Sequence, residues 1–324
     1  MVCRDHGFSG AFGLTAPLMT SASHLIFDRA LYVGRVNRAR LAGPDILMQT
    51  IAEELVERLT FIAREFLNAC VIAPDPQAIA NAVKNSGKVD AVEVRHVLET
   101  DDLKLEPERF DAVFHILDLH AVNDVPGQLS QMRRALKPDG LFLACLFAGE
   151  TLSELRQSWL AAEVELTSGA SPRVAPMIGM HELGGLLQRA GFALPVADLD
   201  RTIVRYPDAI ALIHEIHRLG MSNTLSGRSR SPVSRRLLGA AASHYHENFA
   251  DADGRVRTTL EIAWLTGWSP HDSQPQPLKP GSAKMRLADA LRVPKTKQNH
   301  RREGENHSNS IKCGISGRSA GGMA

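Results

Sequence analysis

The chain has 324 residues, 44% of them hydrophobic and 23% charged, which is enough apolar matter for one large domain or two small ones. A formal net charge of +1 argues against a nucleic-acid binder or an enzyme of acidic substrates, since either would tilt the overall balance. The four cysteines, Cys3, Cys70, Cys145 and Cys313, are dispersed and form no CxxC pair, so a reduced, cytosolic setting fits better than a disulfide scaffold or a zinc site.

The N-terminal stretch "MVCRDHGFSGAFGLTAPLMTSASHLIF" has no strong apolar region of the signal-peptide kind, and Met19 is an expected alternative start. Residues 1–22 are expected to be poorly ordered. The first folded segments are two helices. "HLIFDRALYVGRVNRARLA" carries Arg29, Arg35, Arg38 and Arg40, read as a solvated basic face. "GPDILMQTIAEELVERL" opens with Pro44 and Asp45, a favourable helix start, and places Leu47, Ile51, Leu55 and Leu59 along one face.

An alternation of strands and helices follows. "EFLNACVIA" is a strand, and "PQAIANAVKNSG" a helix that Gly87 ends. "VDAVEVRHV" and "FDAVFHILDLHAV" are strands, the second apolar enough to be buried on both faces. "PGQLSQMRRALKPDG" is a helix stopped by Lys137–Gly140, and "LFLACLF" is another buried strand. After residue 150 come helices "TLSELRQSWLAAEVEL" and "HELGGLLQRAGF", strand "TIVRY", helices "PDAIALIHEIHRLG" and "PVSRRLLGAAASHYHENFA", and strand "RVRTTLEIAWLTGW". This rhythm predicts an α/β fold with right-handed crossovers: one domain over 23–291 carrying a helical insertion at about 207–250. Residues 292–324 lack periodicity and are expected to be a disordered tail. No run reaches the ~18 uncharged apolar residues of a membrane span.

The stretch "LDLHAVND" (117–124) lies at the carboxyl end of the third strand, where open α/β sheets place ligands. Asp118 and His120 are two apart in a strand and therefore share a face, so the carboxylate is expected to hold the imidazole as a general base, unless one of the two only caps the next loop. Asn123 and Asp124 read as helix caps. No metal site is expected: His214 and His217 are spaced to share a metal but lack a third ligand. His244, Tyr245, His246, Trp264 and Trp268 read as core or pocket wall, and Arg228, Arg230, Arg235 and Arg236 as a solvated cluster.

Some longer motifs carry a resemblance. "ALKPDGLFLACLFAGETLSELRQSW" resembles the class I S-adenosylmethionine methyltransferases, near the biotin-pathway malonyl-carrier methyltransferase. "GASPRVAP", "LGGLLQRAGFALPVADLD", "GMSNTLSGRSR" and "GWSPHDSQPQPLKPGSAKMRLADAL" resemble bacterial relatives of a mitochondrial complex I assembly-factor family, whose activity is arginine hydroxylation. The resemblance spans about 24–291. It implies a Rossmann-like, doubly wound sheet of seven strands, mostly parallel with the last antiparallel. It also implies S-adenosylmethionine as cofactor, a respiratory complex I subunit or other protein acceptor as partner, and a cytoplasmic location peripheral to the inner membrane.

By the same resemblance, a D-x-G-x-G-x-G cofactor turn aligns with "NACVIAPDP". It places Asn68 and Ala69 at the cofactor, Glu93 at the ribose, Asp101 and Asp102 near the adenine, and Leu119 beside it. Here the turn holds no glycine, and the loop is Ala73-Pro74-Asp75-Pro76. The relatives carry serine and tryptophan where this chain has Asp118 and Ala121. Three readings follow: a methyltransferase-like protein with a degenerate turn, an arginine hydroxylase, or a binding protein that has lost the cofactor.

Overall fold

The computed structural model describes residues 25–43, 46–167 and 169–275. The chain divides into a unit ending at Gln274 and a second beginning at Pro275. The first is described below. The expected N-terminal segment, the tail and Met19 lie outside the described residues.

Helix α1 (Arg29–Leu41) begins where the Asp28 carboxylate accepts a hydrogen bond from the Leu31 amide, 3.1 Å, and it buries Arg29, Tyr32, Val33 and Val36. Helix α2 (Ile46–Thr60) turns Ile51, Leu55 and Leu59 fully inward. The next elements are β1 (Phe66–Ala73), α3 (Pro76–Asn85), β2 (Val89–His96), β3 (Phe110–Ile116), α4 (Val125–Ala135) and β4 (Leu136–Phe147). Then come α5 (Ser153–Leu166), α6 (Met180–Arg189), β5 (Ala193–Tyr206), α7 (Ala209–Arg218), α8 (Arg235–Phe249) and β6 (Val256–Trp268).

The sheet order is β2-β1-β3-β4-β6-β5. Strands β1 to β4 are mutually parallel, and β6 runs antiparallel to both of its neighbours, β4 and β5. One face is covered by α4 and α6 through Leu129, Met132, Leu183 and Leu187, the other by α2 and α3 through Ile51, Leu55, Ile79 and Val83. The insertion between β5 and β6, α7 and α8, packs on α5 around Trp159, Leu212 and Tyr245.

Three expectations need correction. The sheet has six strands among the described residues, not seven. The link from β2 to β3 runs as turns, with Lys104 and Glu108 at φ near +49° and Pro107 between them, a backbone that cannot extend as a ladder. The short strand "TIVRY" is the end of a fourteen-residue edge strand, β5. The "LKPDG" stop is already part of β4: α4 ends at Ala135, and Asp139 turns the chain at φ 59°.

Candidate functional site

The carboxyl ends of β1, β3 and β4 meet at one end of the sheet. Beyond Ile116 the chain kinks at Leu117, φ 50°, held by its amide on Cys145 O at 2.7 Å and by its carbonyl, which accepts from the Tyr32 hydroxyl at 3.0 Å. A 3-10 turn, Leu119–Ala121, follows. This turn breaks the two-residue alternation that placed Asp118 and His120 on one face. Asp118, 1% exposed, faces Arg29, with Nη1 to Oδ1 at 2.7 Å and Nη2 to Oδ2 at 3.3 Å. His115 Nε2 stands 3.5 Å from Oδ2, long for a hydrogen bond. Burial alone would raise the Asp118 carboxyl, but the His115 imidazole and the Arg29 guanidinium outweigh it and hold it at about 2.

His120 points the other way, edge-on to Phe147 (5.0 Å between ring centres) and Tyr32 (6.2 Å). Burial pushes its imidazole down to about 4, so it is neutral near pH 7, and its Nδ1 has no hydrogen-bond partner. The expected carboxylate-to-imidazole pairing is therefore replaced by two separate arrangements, Asp118 with Arg29 and His120 with aromatic rings.

Arg29 was missed as a site residue. It was read as part of a solvated basic face, yet it is 5% exposed. Besides Asp118, it donates to Leu98 O through Nε (3.1 Å) and Nη2 (2.7 Å) and to Ala121 O through Nη1 (3.2 Å), and it lies 4.9 Å over the Tyr32 ring. The available signal was its spacing: Arg29 is i,i+3 with Tyr32, on the stripe that buries Val33 and Val36.

A cavity of about 910 Å³ opens at this end of the sheet. It is lined by Pro74, Leu117, His120 and Phe147, by α1, α2 and α3 and by the end of α7, with Glu53, Glu57 and Asp75 as well as Arg40 and Arg218 among the side chains. His120 also borders a smaller cavity of about 180 Å³ beside Trp159.

A methyltransferase-domain family profile matches residues 56–144. A rat protein named mitochondrial arginine-hydroxylase NDUFAF5 is 35% identical over 290 residues, covering 83% of this chain and 84% of the rat chain. A malonyl-[acyl-carrier protein] O-methyltransferase of Xylella fastidiosa is 32% identical over 160 residues, 49% of this chain and 52% of that one. Among solved structures, the YcgJ protein of a Bacillus is 11% identical, with a TM-score of 0.43 over 68% of this chain and 98% of that one. This chain belongs to the NDUFAF5 family. It is a methyltransferase-like member whose cofactor turn has no glycine.

In this NDUFAF5-family chain the residues expected at S-adenosylmethionine do not come together. Strand β1 continues to Ala73, so Asn68 lies five residues upstream of the turn, about 16 Å at ~3.3 Å per residue. Its backbone N–H donates to Asp111 Oδ2 at 2.9 Å. Ala69 is sealed in the core between β1, β2 and β3. Set on the observed junction, the glycine pattern begins near Val71, a buried apolar residue.

The other expected contacts are also committed elsewhere. Glu93 is mid-strand, not at the end of β2, and is clamped by Arg95 and Arg109, each at 2.7 Å. Asp101 accepts from the Asp124 amide at 2.9 Å, though its other oxygen is buried without a partner. Asp102 caps its own turn at the Lys104 amide. Leu119 packs fully buried under α4.

At the turn itself Pro74 and Pro76 have no N–H to offer, and Asp75 spends its carboxylate on the Ala78 amide at 3.3 Å. These residues do not fit the cofactor in the manner of the class. Among the described residues no three His, Cys, Asp or Glu side chains are grouped as for a metal, and no helix is long and apolar enough to cross a membrane. Cys70 and Cys145 are buried free thiols in the sheet.

Proposed function

We propose that this protein serves respiratory complex I assembly by seating an arginine side chain of a partner subunit in the cavity at the carboxyl ends of β1, β3 and β4. The observation that carries this reading is the lining of that cavity. Glu53 and Glu57 supply negative charge on α2, across from the lining cations Arg40 and Arg218, while neutral His120 and the rings of Tyr32 and Phe147 supply flat apolar surface. A guanidinium is bound by carboxylates at its fork and by aromatic faces above its plane. The rat relative is itself named an arginine-hydroxylase. The rat relative is named as mitochondrial, and a place peripheral to the membrane that carries complex I accords with this reading.

The test is complementation of a deletion strain, read as the amount of assembled complex I on a native gel. Wild-type chain is expected to restore the complex, and the double variant Glu53→Gln, Glu57→Gln to restore little of it. Full restoration by that variant rejects the seat. A second reading, methyl transfer from S-adenosylmethionine to a protein or small acceptor, is favoured by the domain match over 56–144. Labelled methyl groups appearing on a complex I fraction would select that reading instead.

A further inference from the structure

Open α/β sheets bind their ligands in the crevice outside the strand ends, at the point where the strand order reverses. In this sheet the reversal lies between β1 and β3, which leave the centre in opposite directions. The Arg29 guanidinium spans that place. On one side it binds the carbonyl of Leu98, two residues past β2, and on the other Asp118 and the carbonyl of Ala121, past β3. Its side chain is 4% exposed and that of Asp118 is 1% exposed.

A planar cation with a fork of donors satisfies the acceptors at these strand ends much as the hydroxyls and amino group of a nucleoside would. The guanidinium cannot step aside cheaply, because leaving would strand a buried carboxylate held ionised by its neighbours. Helix α1 is pinned over the crevice by two further contacts: the Tyr32 hydroxyl on Leu117 O, and a backbone bridge between Phe27 and Leu225. The turn after β1 independently lacks the glycines that would let the backbone approach the rest of the cofactor, its two prolines offer no N–H, and the Ala78 amide is taken by Asp75.

We propose that Arg29 is the resident occupant of the crevice this fold gives to the nucleoside of S-adenosylmethionine, and that the protein works without that cofactor. The inference concerns the crevice alone. It stands or falls separately from the arginine seat, whose lining carboxylates lie on α2 and the β1 turn.

Two measurements test it. Calorimetric titration of the full chain with S-adenosylmethionine and with S-adenosylhomocysteine is expected to give no binding heat at millimolar ligand, and micromolar binding of either overturns the proposal. The occupancy itself is read by thermal unfolding of Arg29→Ala in methylguanidinium chloride against sodium chloride at equal ionic strength. The variant is expected to unfold several degrees higher with methylguanidinium while the wild type does not move, because the small cation refills the vacated place. An equal response of the two proteins, or no response of the variant, overturns the proposal. Should Arg29→Ala not fold alone, refolding yield with and without methylguanidinium gives the same comparison.

Discussion

Asp118 and His120 give up protons more readily in the folded chain than free, and for different reasons. Burial would raise Asp118, but His115 and Arg29 hold it at about 2, against an ordinary value of 3.8. Burial, helped by the Arg29 and His115 charges and opposed by Asp118, takes His120 from 6.5 to about 4. A folded value below the unfolded one means stability that is present above the unfolded value and lost as pH falls through the folded one. Acidification should therefore weaken the fold in two stages: from about pH 6.5 to 4 as the unfolded chain takes the proton that folded His120 refuses, then from about 4 to 2 as it takes the proton that folded Asp118 refuses. At 1.36 kcal/mol per pKa unit the first stage is worth at most about 3–4 kcal/mol, an upper bound because His120 borders the cavity, and the second roughly 2–3 kcal/mol. Urea unfolding of His120→Phe between pH 7 and 4 should lose the first stage and keep the second. A first stage of undiminished size would place its origin in another group. At this scale the sequence was misleading where alternation failed. Asp118 and His120 were paired on strand geometry that the 3-10 turn cancels, and Arg29 was grouped with exposed arginines although its spacing to Tyr32 marks the buried stripe.

Helices were the legible elements, because a burial period of three to four residues survives in the letters: Ile51, Leu55 and Leu59 are spaced four apart and all are fully buried. Strand ends were not. β5 carries Pro195, Asp198, Asp200 and Arg201 along an open edge, which hides most of its length from a search for apolar runs. β1 keeps its ladder through Ala73, five residues beyond Asn68, where the pattern was first set, so Asn68 and Ala69 lie back in the strand and not at the turn. The contact between α7 and α1 is likewise invisible in the sequence, yet it sets a sharp steric limit. Gly220, at φ 72°, ends α7 so close to α1 that a Cβ would lie 3.1 Å from Arg35 O and from Val36 Cα. Gly220→Ala combines left-handed strain with a tight contact against backbone, and should cost about 2–3 kcal/mol, several degrees in Tm. Gly239→Ala in the middle of α8, where nothing lies within 4 Å, is the matched control and should be neutral or stabilising. Equal effects of the two substitutions would mean that α7 does not press on α1.

For the molecule as a whole, stability is layered around the sheet centre. Cys70, Val71, Phe114, Phe142 and Cys145 are all fully buried between helical layers on both faces, whereas β2 and β5 each pair on one side only. Opening a central strand exposes both apolar faces at once, while an edge strand can release its one ladder alone, so local opening free energies should rise inward. Amide hydrogen exchange is expected to be slowest in β1, β3 and β4, faster in β6, and faster still along β2 and β5. The comparison is most informative for β5. Its fourteen residues leave a long row of backbone donors and acceptors beyond β6, with Val196 57% and Ile203 46% exposed, a template on which another strand can pair. Charges at Asp198, Asp200, Arg201 and Arg205 interrupt that template, as edge strands that stay single commonly do, and Arg58 holds both aspartates against α2 at 3.0 Å. A lone β5 should therefore exchange at rates independent of protein concentration. Protection of β5 that matches β4 and grows with concentration would mean that a second copy covers this edge, and the sheet would then continue across two chains.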